Sequence, residues 1–246
     1  MLTVHRGVVS GLVAQAAVLV CLAGTGGLTV AGGLAGLAHG AVAVGLLSRA
    51  LMRAGAVLMG PADLVTLARA VLVGGVAALV VDSFVGSVRV GALTALVVVA
   101  LGLDAVDGRV ARNTGTVSAV GARFDMEVDS ILVLLLSVYV ARSLGPWVLA
   151  IGSAHYVLVV ARRALPWLRA QVPPRHWCKV VAAVQGIVLT TAVAGVLPRV
   201  VAVLALAVVA GLLAESFGRE VWWLWRSNRA GTYGDVEPRA VGSVHG

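Results

Sequence analysis

The sequence predicts an all-α protein: a polytopic membrane helix bundle with a six-helix core and about two extra transmembrane helices at the N-terminus. Of its 246 residues, 60% are hydrophobic and only 12% are charged, whereas soluble domains carry about 25% charged residues. The apolar residues form continuous runs near the ~20 residues that one transmembrane helix needs, which leaves room for about six to eight spans. These runs do not alternate with polar residues as barrel strands do, so helices are favoured.

Glycine, proline and charged residues divide the apolar runs into eight predicted spans. The first two form an N-terminal pair, at 7–24 and 28–48, and a short basic connector follows them. Six more spans make up the predicted core: 62–81, 87–113, 117–142, 146–165, 178–196 and 199–224. We therefore expect an N-terminal helix pair with its connector at 1–55, a core at 56–226 and a polar cytoplasmic tail at 227–246.

Basic residues indicate which side of the membrane each connection faces. With the N-terminus in the cytoplasm, all of the 19 Lys and Arg residues except Arg89, Arg142 and Arg199 fall on the cytoplasmic half, as the positive-inside rule requires. Topology thus explains the net charge of +8, and no nucleic-acid partner is expected. The excess of Arg over Lys, with abundant Ala, Val and Gly, is typical of a GC-rich bacterial genome, so we expect the inner (cytoplasmic) membrane.

Acidic residues are concentrated in two consecutive predicted spans. Asp104 and Asp107 are three residues apart, and Asp125 and Asp129 are four apart, so each pair lies on one helical face. A short connection between the two spans lets both faces converge near the cytoplasmic end. Clustered carboxylates at membrane depth are costly unless a cation compensates them, and oxygen ligands suit Mg²⁺ or Mn²⁺. The sequence therefore predicts a divalent-metal site.

The same region contains a longer pattern, DxxDGxxAR, then eight residues, then GxxxDxxxD. The specified positions are Asp104, Asp107, Gly108, Ala111, Arg112, Gly121, Asp125 and Asp129. This pattern resembles the signature of the CDP-alcohol phosphotransferases, also called the CDP-alcohol phosphatidyltransferase family, and a chance match to every position is rare. The resemblance covers residues 60–226, including the six-helix core, and leaves the N-terminal pair unexplained.

Two shorter patterns add to the resemblance. Asp63, Thr66 and Arg69 are similar to an NxxTxxR pattern on the family's first core helix, with Asp in place of the usual Asn. Lys179 and Gln185 are similar to a basic-to-Gln spacing that some members carry on the fifth core helix.

The resemblance implies an enzyme, a divalent-metal-dependent transferase of the EC 2.7.8 type. It would move a substituted phosphate group, such as phosphatidyl, from a CDP-alcohol lipid such as CDP-diacylglycerol to a small polar acceptor alcohol. CMP would be released, and the reaction would belong to phospholipid biosynthesis. The resemblance also implies a homodimer among membrane lipids, with its active site at the cytoplasmic side.

Site residues follow from the family's motifs by position. Two ions of Mg²⁺ or Mn²⁺ would be held by Asp104, Asp107, Asp125 and Asp129, and Asp129 would also be the catalytic general base. The residues expected to contact the CDP group are Asp63, Thr66, Asp107, Gly108, Ala111, Arg112 and Gly121. Four basic residues that the positive-inside rule also explains are candidates for binding an acceptor phosphate: Arg69, Arg123, Arg162 and Lys179.

Several functional alternatives stay open at this point. The many Arg residues near the cytoplasmic side favour a phosphorylated acceptor, glycerol phosphate or inositol phosphate, over an uncharged alcohol. Intramembrane prenyltransferases also bind a diphosphate through Asp-rich metal motifs, but they lack the GxxAR element. A transporter or another ion-binding membrane protein could use buried Asp residues, but its acids would be spread along a path through the bilayer.

Overall fold

The computed structural model describes residues 2–55, 58–86, 88–114, 119–169 and 176–229. For some of these residues it describes the backbone but not the side chain: 2, 58, 106–114, 119, 166, 169, 176, 178–179 and 227–229. Within these ranges the chain forms eight α-helices and two short strands. The helices are α1 (Val4–Gly26), α2 (Val30–Arg53), α3 (Pro61–Asp82), α4 (Val90–Thr114), α5 (Ala119–Leu144), α6 (Leu149–Ala164), α7 (His176–Ala194) and α8 (Arg199–Arg229). They correspond in order to the eight predicted spans, so the predicted helical bundle is confirmed.

Four of the described helices are long and apolar enough to cross a membrane: α1, α2, α3 and the part Arg199–Arg226 of α8. Shorter apolar segments, Val90–Ala105 and Val180–Ala194, lie within α4 and α7. The chain is therefore a multi-pass membrane protein.

Helix α3 lies at the centre of the bundle and contacts α1, α2, α4 and α5. It begins after Gly60 with Pro61 at its first position, where the missing N–H and fixed φ of proline suit a helix start. Val73, Val76 and Ala78 are fully buried, as expected for a helix that is apolar on every face. Polar side chains on α3 are consequently held among other helices, and one of them belongs to the candidate site.

The N-terminal pair, α1 and α2, is attached to the core at both ends of the bundle. Where α3 begins, strand β1 (Leu2–Thr3) pairs antiparallel with β2 (Leu58–Met59). At the opposite end, the guanidinium of Arg89 donates hydrogen bonds of 2.9 Å to the carbonyl oxygens of Leu22 and Thr25 at the end of α1. The pair packs along α3, so it is a continuous part of the bundle.

Glycines allow two pairs of helices to approach closely. A Cβ added at Gly36 of α2 would lie 3.0 Å from the carbonyl oxygen of Gly74 on α3. A Cβ at Gly152 of α6 would lie 2.8 Å from the Cα of Leu134 on α5. Small residues at such contacts are typical of helix packing inside a membrane.

Candidate metal centre

Three carboxylates from two helices meet at the end of the bundle where α3 begins. Asp104 lies on α4, and Asp125 and Asp129 lie one turn apart on α5. One oxygen atom from each carboxylate lies within 4.8 Å of the others. Because α3 packs against both α4 and α5, it provides the surface on which the three side chains converge.

A single guanidinium, that of Arg69 on α3, contacts all three carboxylates. Its Nη1 lies 3.0 Å from Oδ1 of Asp104 and is also hydrogen-bonded to Oδ1 of Asp125, while its Nη2 donates to Oδ1 of Asp129. The Arg69 side chain is 1% exposed, whereas those of Asp104, Asp125 and Asp129 are 43%, 32% and 42% exposed. Arg69 therefore lies on the buried side of the carboxylates, which remain partly open to the surroundings.

The chemistry of this donor set fits a divalent cation. The described ligand atoms are all carboxylate oxygens, which Mg²⁺ and Mn²⁺ prefer, and they already lie close enough together to share an ion. Among the described side chains of the cluster, three carboxylates face one guanidinium. The side chain of Asp107, the fourth carboxylate in the sequence motif, lies outside the described part of the chain.

Asp63 and Thr66 lie in the first two turns of the same helix as Arg69. The Asp63 carboxylate accepts a hydrogen bond of 2.9 Å from the backbone N–H of Gly60, so it caps the start of α3. The Thr66 hydroxyl donates to the carbonyl of Ala62 at 3.1 Å. Both side chains are buried and stabilise the helix start that positions Arg69.

The remaining sequence-predicted residues with described side chains lie on α5, α6 and α7. Gly121, partly buried, lies one turn before Asp125, and Arg123 is exposed. Arg162 on α6 forms an ion pair with Glu220 of α8. The amide of Gln185 donates to the carbonyl of Ile151 at 3.2 Å, which joins α7 to α6. Predicted residues whose side chains lie outside the described part are Asp107, Gly108, Ala111, Arg112 and Lys179.

Glu127, between Asp125 and Asp129 in sequence, faces a different helix. Its Oε1 lies 3.9 Å from Nε2 of His155 on α6. This placement follows from helix geometry, because a residue two positions from each Asp points to another side of α5.

The contacts of Arg69 with the carboxylates were not predicted from the sequence, which gave Arg69 as a candidate for binding an acceptor phosphate. The available signal was position: Arg69 is the only basic residue of α3 (Pro61–Asp82), a helix that is otherwise mostly apolar. An ionisable residue at such a place usually has a partner of opposite charge. Which helices supply that partner depends on the packing of the bundle.

The fold and the cluster together define an integral membrane protein with a candidate divalent-metal site. A family model described as CDP-alcohol phosphatidyltransferase matches residues 59–213, more than half of the chain. The protein therefore belongs to the CDP-alcohol phosphatidyltransferase family, whose members are membrane transferases that use a CDP-alcohol as donor. The matched segment starts at β2 and ends within α8, so it contains the carboxylate cluster and excludes α1 and α2. No curated protein and no solved structure matches the chain.

Proposed function

We propose that this protein transfers a phosphatidyl group from CDP-diacylglycerol to a small polar alcohol and releases CMP, as a step of phospholipid biosynthesis. The observation that carries the proposal is the convergence of Asp104, Asp125 and Asp129 within 4.8 Å, at motif positions inside the matched family segment. The family match also favours this activity over a prenyltransferase or a transporter. The homodimer expected from the resemblance stays a prediction.

The carboxylates of Asp104, Asp107, Asp125 and Asp129 would hold two divalent ions, Mg²⁺ or Mn²⁺. Such ions, when bound, neutralise charge on the diphosphate and on the attacking and leaving oxygens. The exposed fractions of Asp104, Asp125 and Asp129, between 32% and 43%, support access to this side of the cluster from the membrane edge.

Asp129 is the proposed general base. Its carboxylate is partly exposed, at 42%, while Arg69 holds its Oδ1, so one part of the group is oriented and another remains accessible. The acceptor hydroxyl oxygen attacks the phosphorus that carries the donor's diacylglycerol, and its proton passes to Asp129. The bond between that phosphorus and the oxygen of CMP then breaks, and CMP leaves as the product.

The nucleotide and acceptor contacts are proposals from motif position. The CDP group would bind beside the start of α3 and the facing turns of α4 and α5, through Asp63, Thr66, Asp107, Gly108, Ala111, Arg112 and Gly121. Glycine and alanine on those turns leave room for a ligand, and the fork of Arg112 suits a phosphate. This binding would take place at the cytoplasmic side of the inner membrane.

A phosphorylated acceptor, glycerol phosphate or inositol phosphate, would need basic partners near the cluster. Arg69 and Arg162 already contact carboxylates, so we assign the acceptor phosphate to Arg123 and Lys179. Arg123 is exposed and lies two residues before Asp125 on α5, which supports its assignment.

The proposal is tested by measuring CMP release from CDP-diacylglycerol by the purified protein in liposomes, with Mn²⁺ or Mg²⁺ and a panel of acceptors. The panel contains glycerol phosphate, inositol phosphate, serine and free inositol. We expect CMP release that requires one of these acceptors and that is lost in Asp129→Asn. Glu127→Gln is the matched control, since Glu127 lies on the same helix and faces His155. Absence of release with every acceptor would contradict the proposal, and equal turnover of an uncharged alcohol would contradict the phosphorylated acceptor.

A further inference from the structure

Arg69 is buried more completely than any of the carboxylates it contacts. Its side chain is 1% exposed and it lies on α3, where the neighbouring Ala70 and Val73 are also buried. Burying a guanidinium is unfavourable unless partners of opposite charge compensate it. The three carboxylates supply that compensation, so Arg69 and the cluster depend on each other for their stability.

The rigid guanidinium of Arg69 joins two helices, α4 and α5, through its contacts with their carboxylates. Nη1 of Arg69 contacts Asp104 of α4 and Asp125 of α5, and Nη2 contacts Asp129 of α5. The guanidinium is planar, with its donors in a fixed fork, so it sets the mutual orientation of the acceptors it binds. Without it, three carboxylates within 4.8 Å would repel one another and separate.

Arg69 lies on the buried side of the cluster, so it leaves the exposed side of the carboxylates open to a cation. The carboxylates are about a third to two fifths exposed, whereas the guanidinium is enclosed by the bundle. A cation that enters from the exposed side therefore contacts carboxylate oxygens that already lie close together. Hydrogen-bonded groups behind metal ligands commonly act in this way, and their removal costs about 10–100-fold in metal affinity.

We propose that Arg69 is a positioning residue, a fixed internal counter-ion that holds Asp104, Asp125 and Asp129 in the arrangement that binds the divalent cation. This inference rests on the proposed function, because it takes the three carboxylates as metal ligands. Lysine cannot replace Arg69, since a single ammonium lacks the planar fork whose two nitrogens hold the three carboxylates in a fixed mutual orientation. In a neutral variant such as Arg69→Gln, the loss of orientation outweighs any gain from removing a positive charge near the ion.

The test measures Mn²⁺ binding by the purified full-length protein in detergent, without donor or acceptor, from the electron paramagnetic resonance signal of free Mn²⁺. Arg69→Lys is expected to lower the Mn²⁺ affinity about 10–100-fold. Asp104→Asn should also lower the Mn²⁺ affinity, because it removes a proposed ligand of the ion. Arg142→Lys is the matched control, because Arg142 lies at the other end of α5, with its guanidinium 4.9 Å from the Phe84 ring centre. Its Mn²⁺ affinity should equal that of the wild type.

Arg69→Gln is the second variant, and size-exclusion profiles establish that each variant is folded. Unchanged or tighter Mn²⁺ binding in a folded Arg69 variant would overturn the inference, because Arg69 would then be dispensable or would compete with the ion. In activity assays, the Mn²⁺ concentration for half-maximal rate should rise while the acceptor KM stays constant. A raised acceptor KM with unchanged Mn²⁺ affinity would overturn it as well. Absence of Mn²⁺ binding by the wild type would instead remove the metal centre of the proposed function.

Discussion

The carboxylate of Asp82, at the end of α3, caps the start of α2 through Thr29. Its two oxygens accept hydrogen bonds from the backbone N–H of Thr29 at 3.2 and 3.3 Å, and the Thr29 hydroxyl also donates to Oδ1. A negative charge at a helix N-terminus is favourable because it satisfies free N–H groups and the helix dipole. Nearby, Arg89 binds carbonyls at the end of α1. A carboxylate thus lies at the N-terminus of one helix and a guanidinium at the C-terminus of another.

Replacing Asp82 with alanine should destabilise the protein by about 1–3 kcal/mol, because the partners of a buried carboxylate lose their hydrogen bonds. Thermal unfolding in detergent measures this loss as a lower Tm. Thr25→Ala is the matched control: the Thr25 hydroxyl bonds its own helix, at Cys21 and Leu22, and the carbonyl that Arg89 contacts is kept. An Asp82→Ala protein as stable as Thr25→Ala would show that the cap contributes little.

Deletion of residues 1–55 tests whether the N-terminal pair is a separate region or a structural part of the core. Because α1 and α2 pack along α3, and α3 carries Arg69, we expect the shortened protein to have a lower Tm and weaker Mn²⁺ binding. Full retention of both in the shortened protein would show that the core folds and binds metal alone.

Gly152 allows α5 and α6 to pack closely, so Gly152→Ala should lower stability by about 1–3 kcal/mol through overpacking. The added Cβ would meet the Cα of Leu134 and Oγ of Ser137, both at 2.8 Å. Gly211→Ala on α8 is the control, since an added Cβ there meets nothing within 4 Å and alanine favours a helix. Equal Tm values for the two variants would contradict the close packing of α5 and α6.

Asp125→Asn should reduce CMP release by about 100-fold or more, because it removes a charged metal ligand from the reacting centre. Excess Mn²⁺ should restore part of the rate if the residual site is weakened rather than destroyed. The same assay on Glu127→Gln should give a rate close to that of the wild type. A small effect of Asp125→Asn, or an equal effect of both substitutions, would count against Asp125 as a ligand.

Much of the fold could be predicted from the sequence because each helix is encoded by its own apolar run. The eight helices follow the eight predicted spans, and the ends differ by a few residues; α8, for example, continues to Arg229. The pairing of β1 with β2 could not be predicted, since each strand has only two residues and no hydrophobic alternation to indicate it.

The candidate site was predictable where its residues are close in sequence. The spacing of Asp125 and Asp129 places both on one face of α5, and the motif relates them to Asp104. The contacts of Arg69 and of Asp82 could not be derived in this way, because they join residues more than 30 positions apart and depend on how the helices pack. Local periodicity describes which face of a helix is polar, but not which helix lies opposite.

The stoichiometry of the reaction separates transfer from hydrolysis, and it is measured on purified protein in liposomes that contain CDP-diacylglycerol, a divalent ion and the acceptor. CMP is quantified by chromatography and the new phospholipid by ³¹P NMR. We expect one phosphodiester lipid for each CMP, formed only when acceptor is present and absent in Asp129→Asn. CMP formed together with phosphatidic acid, at a rate independent of the acceptor, would contradict it and identify a hydrolase instead.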